Sequence, residues 1–172
     1  MNPTSRPRRA ALLCVHFVRN LAFYRAGWKN GQPIFPKHDI WATINSNFLD
    51  VAVLEWCKLF ADNTARHDWR KVVVAPGAFM PQFLLDTGTS QSEWAVYLGE
   101  MRTYRDKFIA HLDEDPTMNI PSMDLAEKSI QYFYDTIKGE QSSDVFIDLP
   151  ANLRDYRDAC QSTAESTYNN AT

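Results

Sequence analysis

Between residues 8 and 28 the chain carries no proline or glycine until Gly27, and its apolar residues recur at helical spacing on more than one face. Leu12, Val15, Val18, Ala22, Phe23 and Ala26 form one stripe, while Leu13, Phe17, Leu21 and Tyr24 occupy the far side. A helix that is apolar nearly all round has to be covered on several sides, so this one is expected to lie sandwiched between other helices.

The rest of the sequence supplies those helices. The stretch KNGQPIFPKH, with one glycine and two prolines, ends the first one. Asp39, following Pro36, is a good N-cap for a second helix reaching about residue 62, with Ile40, Trp41, Ile44, Phe48, Val51, Ala52 and Leu59 as its core stripe. Residues 63 to 89 hold Pro76, Gly77, Pro81 and Gly88 and read as an insertion of loop with one or two short helices. Val72, Val73 and Val74 could alternatively form a strand, although no clear partner lies nearby. Ser90 or Ser92, with Glu93 in the first turn, starts a third helix lasting to about residue 112, where Asp113, Glu114, Asp115 and Pro116 stop it. Residues 124 to 138 make a fourth, with Leu125, Ile130, Phe133, Tyr134 and Ile137 inward and Gly139 at its end. A weaker fifth, NLRDYRDACQ, follows Pro150. These elements define an all-α bundle of four main helices plus a weaker C-terminal helix, one domain over 8 to 165, with 1 to 7 and 166 to 172 expected to be mobile ends.

Composition narrows the function classes. At 172 residues and 45% hydrophobic the chain can bury a proper core. A formal charge of -3 argues against nucleic-acid binding through overall charge, though not against a local basic cleft. Cys14, Cys57 and Cys160 are scattered and odd in number, which suggests neither a disulfide framework nor a zinc site and points to a reducing compartment. No apolar run is long enough to span a membrane. Arg6, Arg8 and Arg9 before AALLCV imitate the start of a signal peptide, but His16 and Arg19 interrupt the run and Leu12 and Leu13 are not the small residues a cleavage site needs. A soluble, cytoplasmic protein with no membrane partner is expected.

On the third helix, at about 100° per residue, Trp94, Tyr97, Leu98, Met101, Tyr104, Phe108, Ile109 and Leu112 share one face. Arg105 falls inside that face. It is either an edge residue that snorkels its head to water or a cation placed in a cleft. A partly buried guanidinium needs acceptors, and Glu55, which interrupts the apolar stripe of the second helix, is the first expected structural partner, with Asp62 second. His111 follows six residues later. On a straight helix Arg105 and His111 stand about 9 Å apart along the axis and about 120° apart around it, so convergence requires a break in the helix or a second copy of the chain. Together an imidazole and a guanidinium suit attack of a ribose 2'-hydroxyl on the adjacent phosphate: the first moves protons near neutral pH, the second stabilises charge on the phosphorane. No metal is required, and His16, His38, His67 and His111 show no ligand spacing.

The segment YRDKFIAHLDED resembles the Arg-x(4 to 6)-His motif of HEPN domains, with a polar residue after the Arg and Ala before the His. With the upstream FYRAG and VLEWCKLF segments, residues 20 to 138 resemble the HEPN-like domain of AbiU-type abortive-infection proteins. The resemblance implies a HEPN-like helical bundle and a homodimer whose two motifs face a shared cleft. In active members the motif cleaves RNA without metal or cofactor. Carried over residue by residue, Arg105 and His111 are catalytic, Asp106 takes the polar position that orients them, and Lys107 contacts phosphate. Arg102, Tyr104 and, from the insertion, His67 are further candidate substrate contacts. A toxin or phage-defence setting, with an antitoxin-like partner protein, accompanies that expectation. The alternative is a non-catalytic interaction or nucleotide-binding module. Cys57 reads as a small buried residue rather than a nucleophile, and Gly88 in DTGTS belongs to no phosphate-binding loop.

Overall fold

The structure, a computed structural model, describes residues 5–110 and 119–171. Helix α1 (Ser5–Ala26) is the central element. Ala10, Ala11, Cys14 and Phe17 are fully buried in it, and its most extensive contacts are with α2 (Ile40–Phe60) and α6 (Leu153–Ala171), then with α5 (Met123–Glu140). Three small residues within five positions let neighbouring helices come close, and the larger ones fill the spaces between. Among the described residues six α-helices and one two-stranded ribbon make up the fold, which is all-α. No described helix is long and apolar enough to cross a membrane.

The break after α1 is more ordered than a simple loop. Strands β1 (Trp28–Lys29) and β2 (Gln32–Pro33) pair antiparallel around Asn30 and Gly31, whose φ angles are 53° and 73°. Two consecutive left-handed residues are what a tight two-residue hairpin turn demands, and Asn-Gly is the dipeptide best suited to it. Just before it, the buried Asn45 amide donates to the carbonyls of Phe23 and Tyr24 at 3.1 and 3.0 Å, satisfying acceptors that the end of α1 leaves over.

Helix α2 is capped by Asp39, which accepts from the Trp41 backbone N–H at 2.8 Å. Its buried residues differ from the expected stripe. Ile40 is 70% exposed and Val51 also faces outward, while Leu49, Val53, Trp56, Cys57 and Phe60 are buried. The reason is packing on two sides: the C-terminal half of α2 contacts both α1 and α4, so residues on opposite faces are covered together. The Trp56 indole inside this core donates to Ser129 Oγ at 2.8 Å, and Ser129 donates on to the Ala126 carbonyl. Both buried polar groups are thereby paired.

The region from 63 to 89 is loop with a short turn and one helix, as expected, and it lends a few side chains to the core. A 3-10 turn at Trp69–Lys71, capped by Asp68, precedes the 12-residue helix α3 (Pro76–Thr87). Pro76 sits at its start, where a missing N–H costs nothing, and Gly88 with φ 64° ends it. Phe79 and Phe83, one turn apart, drive into the main cluster with Val72 and Val73. Val72 to Val74 form no strand; Val74 is exposed and its N–H donates to Glu140.

Helix α4 (Gln91–Tyr104) starts with a complete capping box between Ser90 and Glu93, which decides between the two candidate serines. Helix α5 is capped by Ser122 and buries Ile130, Phe133, Tyr134 and Ile137 as expected. Helix α6 is a correction. It has 19 residues, not about ten, and packs along α1 as a principal member of the bundle. Its apolar contribution is thin, Leu153, Cys160, Ala164 and Tyr168, but these lie on one stripe and Tyr168 closes a second cluster with Ala26 and Phe35. Residues 166 to 171, set apart as a tail by periodicity, are therefore helical. So are residues 5 to 7: Arg6 donates to the Lys71 carbonyl, and Arg8 reaches the carbonyls of Val145 and Ile147 at 2.9 and 2.8 Å.

Candidate functional site

The third helix does not continue in α form to residue 112. At Arg105 it widens into a π-helical segment, Arg105–Ala110, covering most of the RDKFIAH motif. Such i→i+5 segments are rare and concentrate at functional sites. The widened turn also invalidates the 100° spacing used to relate Arg105 to positions beyond it. His111 and the acidic run Asp113, Glu114 and Asp115 lie outside the described residues.

The C-terminal end of α2 gathers the cations of this region. Arg102 Nε donates to the Ala61 carbonyl at 2.9 Å, one of the acceptors left over where α2 stops. Arg105 lies close by, and its charge helps to hold the Asp62 carboxyl below its usual range, after the larger effect of the Thr64 hydroxyl. Both guanidiniums thus stand at the negative end of the α2 dipole. That placement gives Arg102 a structural task in addition to the substrate contact expected of it.

Arg105 itself donates from Nε to Asp106 Oδ1 at 2.7 Å, and its side chain is 25% exposed. The bond to Asp106 is the main reason its pKa is raised, so it stays cationic. The expected pairing with Glu55 is overturned. Glu55 accepts from Lys58 at 3.3 Å and faces His16 at 4.0 Å, on the α1 side. The physical reason is rotational: Glu55 and Cys57 stand about 200° apart around α2, so the face that turns Cys57 to α4 turns Glu55 away from it. Cys57 is the α2 residue that meets Arg105. Burial pushes its thiol up to about 12, with Arg105 acting in the opposite sense, and the thiol donates weakly to the Met101 carbonyl at 3.9 Å. A thiol so protonated is no nucleophile.

Tyr104, the last residue of α4, is buried and donates its hydroxyl to Asp50 at 2.8 Å. Burial and then the hydrogen bond to Asp50 raise its pKa strongly, so the phenol is a fixed donor and not a proton shuttle. Asp106 is exposed and Lys107 half-buried. Arg102, Tyr104, Arg105, Asp106 and Lys107 therefore form a contiguous segment at the α4 end. His67 does not line it: it borders a separate cavity with Arg9 and Lys58. Among the described residues no group of three or more His, Cys, Asp or Glu side chains is placed to hold a metal ion.

The arrangement places a permanently charged guanidinium, held by a neighbouring carboxylate, at a partly open edge. Such a group is suited to a phosphate oxygen, which it meets with paired N–H donors. Compared with known proteins, the chain matches no family model, no curated protein and no solved structure.

Proposed function

We propose that the protein is a HEPN-type endoribonuclease that acts as a homodimer and needs no metal. In this reading His111 takes the proton of a ribose 2'-hydroxyl, whose oxygen bonds to phosphorus as the bond to the 5'-oxygen breaks. The departing oxygen receives a proton, leaving a 2',3'-cyclic phosphate. Arg105 offsets the charge that builds on the phosphorane, Asp106 fixes the guanidinium through Nε, and Lys107 holds the flanking backbone. The observation that carries the reading is the departure from α form that begins at Arg105, with that guanidinium partly exposed and not locked to Glu55. A bundle-locking role would instead call for the closed Arg105 to Glu55 pair. A toxin or phage-defence role, with RNA as substrate and an antitoxin-like protein as regulator, follows from the same reading.

The test is direct. Folded wild type, His111→Ala and Arg105→Ala are incubated with mixed-sequence RNA in EDTA, and the product ends are identified. Wild type is expected to leave 2',3'-cyclic phosphate, and each variant to be slower by ~10²–10⁴-fold. Intact RNA with wild type, or equal cleavage by all three proteins, overturns the proposal.

A further inference from the structure

A cavity of about 240 Å³ opens between the β1–β2 hairpin, the end of α1 and the C-terminal half of α6. Trp28, Lys29 and Ile34 line it on the hairpin side, Ala26 at the end of α1, and Glu165 and Asn169 on α6. Ala26 belongs to the same buried cluster as Phe35 and Tyr168, so the wall behind the cavity is fixed. Trp28 is 40% exposed on a strand whose turn is set by Asn30 and Gly31. Tyr24 meets its ring edge to face, with centroids 5.9 Å apart and planes at 63°. Such a contact holds the indole in place and covers at most one of its faces.

The polar groups around that ring are unclaimed. Among the described residues the Trp28 indole N–H, the Lys29 ammonium and the Asn169 side-chain amide have no hydrogen-bond or ion-pair partner. Glu165 accepts from the Gln161 amide at 2.8 Å through Oε1, which leaves Oε2 open. Lys29 and Glu165 stand on opposite walls and do not pair with each other. Glu165 and Asn169 are one turn apart on α6, so an acceptor and a donor lie side by side on one wall.

These groups complement one kind of molecule. An accessible indole face stacks on a nucleobase, and an ammonium takes a phosphate. A carboxylate beside an amide donor matches the edge of guanine, where N1–H and the 2-amino group donate and O6 accepts. We propose that this cavity binds a guanosine phosphate, its base stacked on Trp28, its N–H donors on Glu165, its O6 on the Asn169 amide and its phosphate on Lys29. The phosphate then lies on the hairpin side, away from the Glu165 carboxylate. The same chemistry is offered by a free mononucleotide and by one guanosine of a single RNA strand. No residue from Arg102 to Lys107 lines the cavity, so the site stands independently of the nuclease reading.

Tryptophan fluorescence and calorimetry on the full chain test the site. Guanosine monophosphate is expected to bind one to one and to quench Trp28, a signal absent from Trp28→Phe. It should bind about tenfold or more tighter than adenosine monophosphate, uridine monophosphate or ribose 5-phosphate. Trp28→Leu should weaken binding about tenfold while leaving the melting temperature within a few degrees, and Trp28→Phe should keep most of the affinity. Lys29→Gln should lower guanosine monophosphate to the affinity of guanosine without altering guanosine itself, and Glu165→Gln should remove the preference for guanine. A guanine-containing single-stranded oligoribonucleotide that binds tighter than the mononucleotide, with the gain lost in Trp28→Leu, assigns the site to an RNA strand; the reverse order assigns it to the free nucleotide. Arg105→Ala should leave binding unchanged, so a wild type that binds guanosine monophosphate yet leaves RNA intact overturns the nuclease reading and supports this one. No saturable binding, equal affinity for the three bases or for ribose 5-phosphate, or equal binding by Trp28→Leu and wild type each overturns the proposal.

Discussion

Asn45 is one amide on which three segments depend. It closes the carbonyls of Phe23 and Tyr24, and a Cβ on Gly27 would come within 2.1 Å of its Nδ2. Asn45→Ala is expected to cost ~1–3 kcal/mol, measured by denaturant unfolding, because buried acceptors lose their donor. Gly27→Ala should also destabilise, and the double variant should cost less than the sum, since removing the amide removes the collision. Strict additivity would separate the two positions. Glu127 is a second such residue: it accepts from Arg25 at 2.5 Å and Arg157 at 2.7 Å, tying α5 to α1 and α6. Burial raises its pKa, but the two guanidiniums outweigh burial and the net direction is down from 4.5. A depressed carboxyl stabilises the fold above its unfolded pKa and loses that contribution as pH falls through the folded value. Glu127→Gln should therefore cost about 1–2 kcal/mol at pH 7, allowing for the exposure of both arginines, with the gap to wild type closing as pH falls from 4.5 through the lowered folded value. A gap that does not change with pH would remove the ion pairs as its cause.

At the scale of elements, strong periodicity made α1, α2 and α5 legible, and Asp39 and Ser90 marked two starts correctly. The misses have separate physical causes. Helix α6 offers one small or aromatic apolar residue per turn, so its pattern is visible only once α1 lies against it. The reading of 63 to 89 as loop with one or two short helices holds: Pro76 sits at the start of α3, and Phe79 and Phe83 anchor that helix despite Pro81 inside it. The Asn30-Gly31 pair was a readable hairpin signal that the general excess of turn residues hid. In the candidate site, the anomaly at Arg105 was legible, but its partner was not, because an error of two residues around α2 exchanges Glu55 for Cys57. The π-helical turn had no sequence marker, and the convergence of Arg9 with His67 joins positions 58 residues apart in the chain. Tyr168→Ala tests the weight of α6: a cost of ~3–5 kcal/mol by chemical denaturation is expected from a ring this buried, and a change under 1 kcal/mol would make the second cluster ornamental.

At the scale of the whole molecule, a shared cleft has a consequence that single-chain chemistry lacks. If two motifs must meet, specific activity falls on dilution as dimers separate, following the dimer fraction measured by light scattering or ultracentrifugation. Activity per chain that stays constant down to the monomer would reject the shared cleft. The placement of α1 also sets a timetable for biogenesis. Helix α1 is covered by α6, which is made much later in the chain, and Arg8 waits for carbonyls at Val145 and Ile147. Until residues near 168 emerge, the nascent chain keeps an uncovered apolar flank along α1, which is the kind of surface that chaperones capture and proteases sample. Loss of α6 would thus deprive α1 of its cover rather than trim an edge of the bundle.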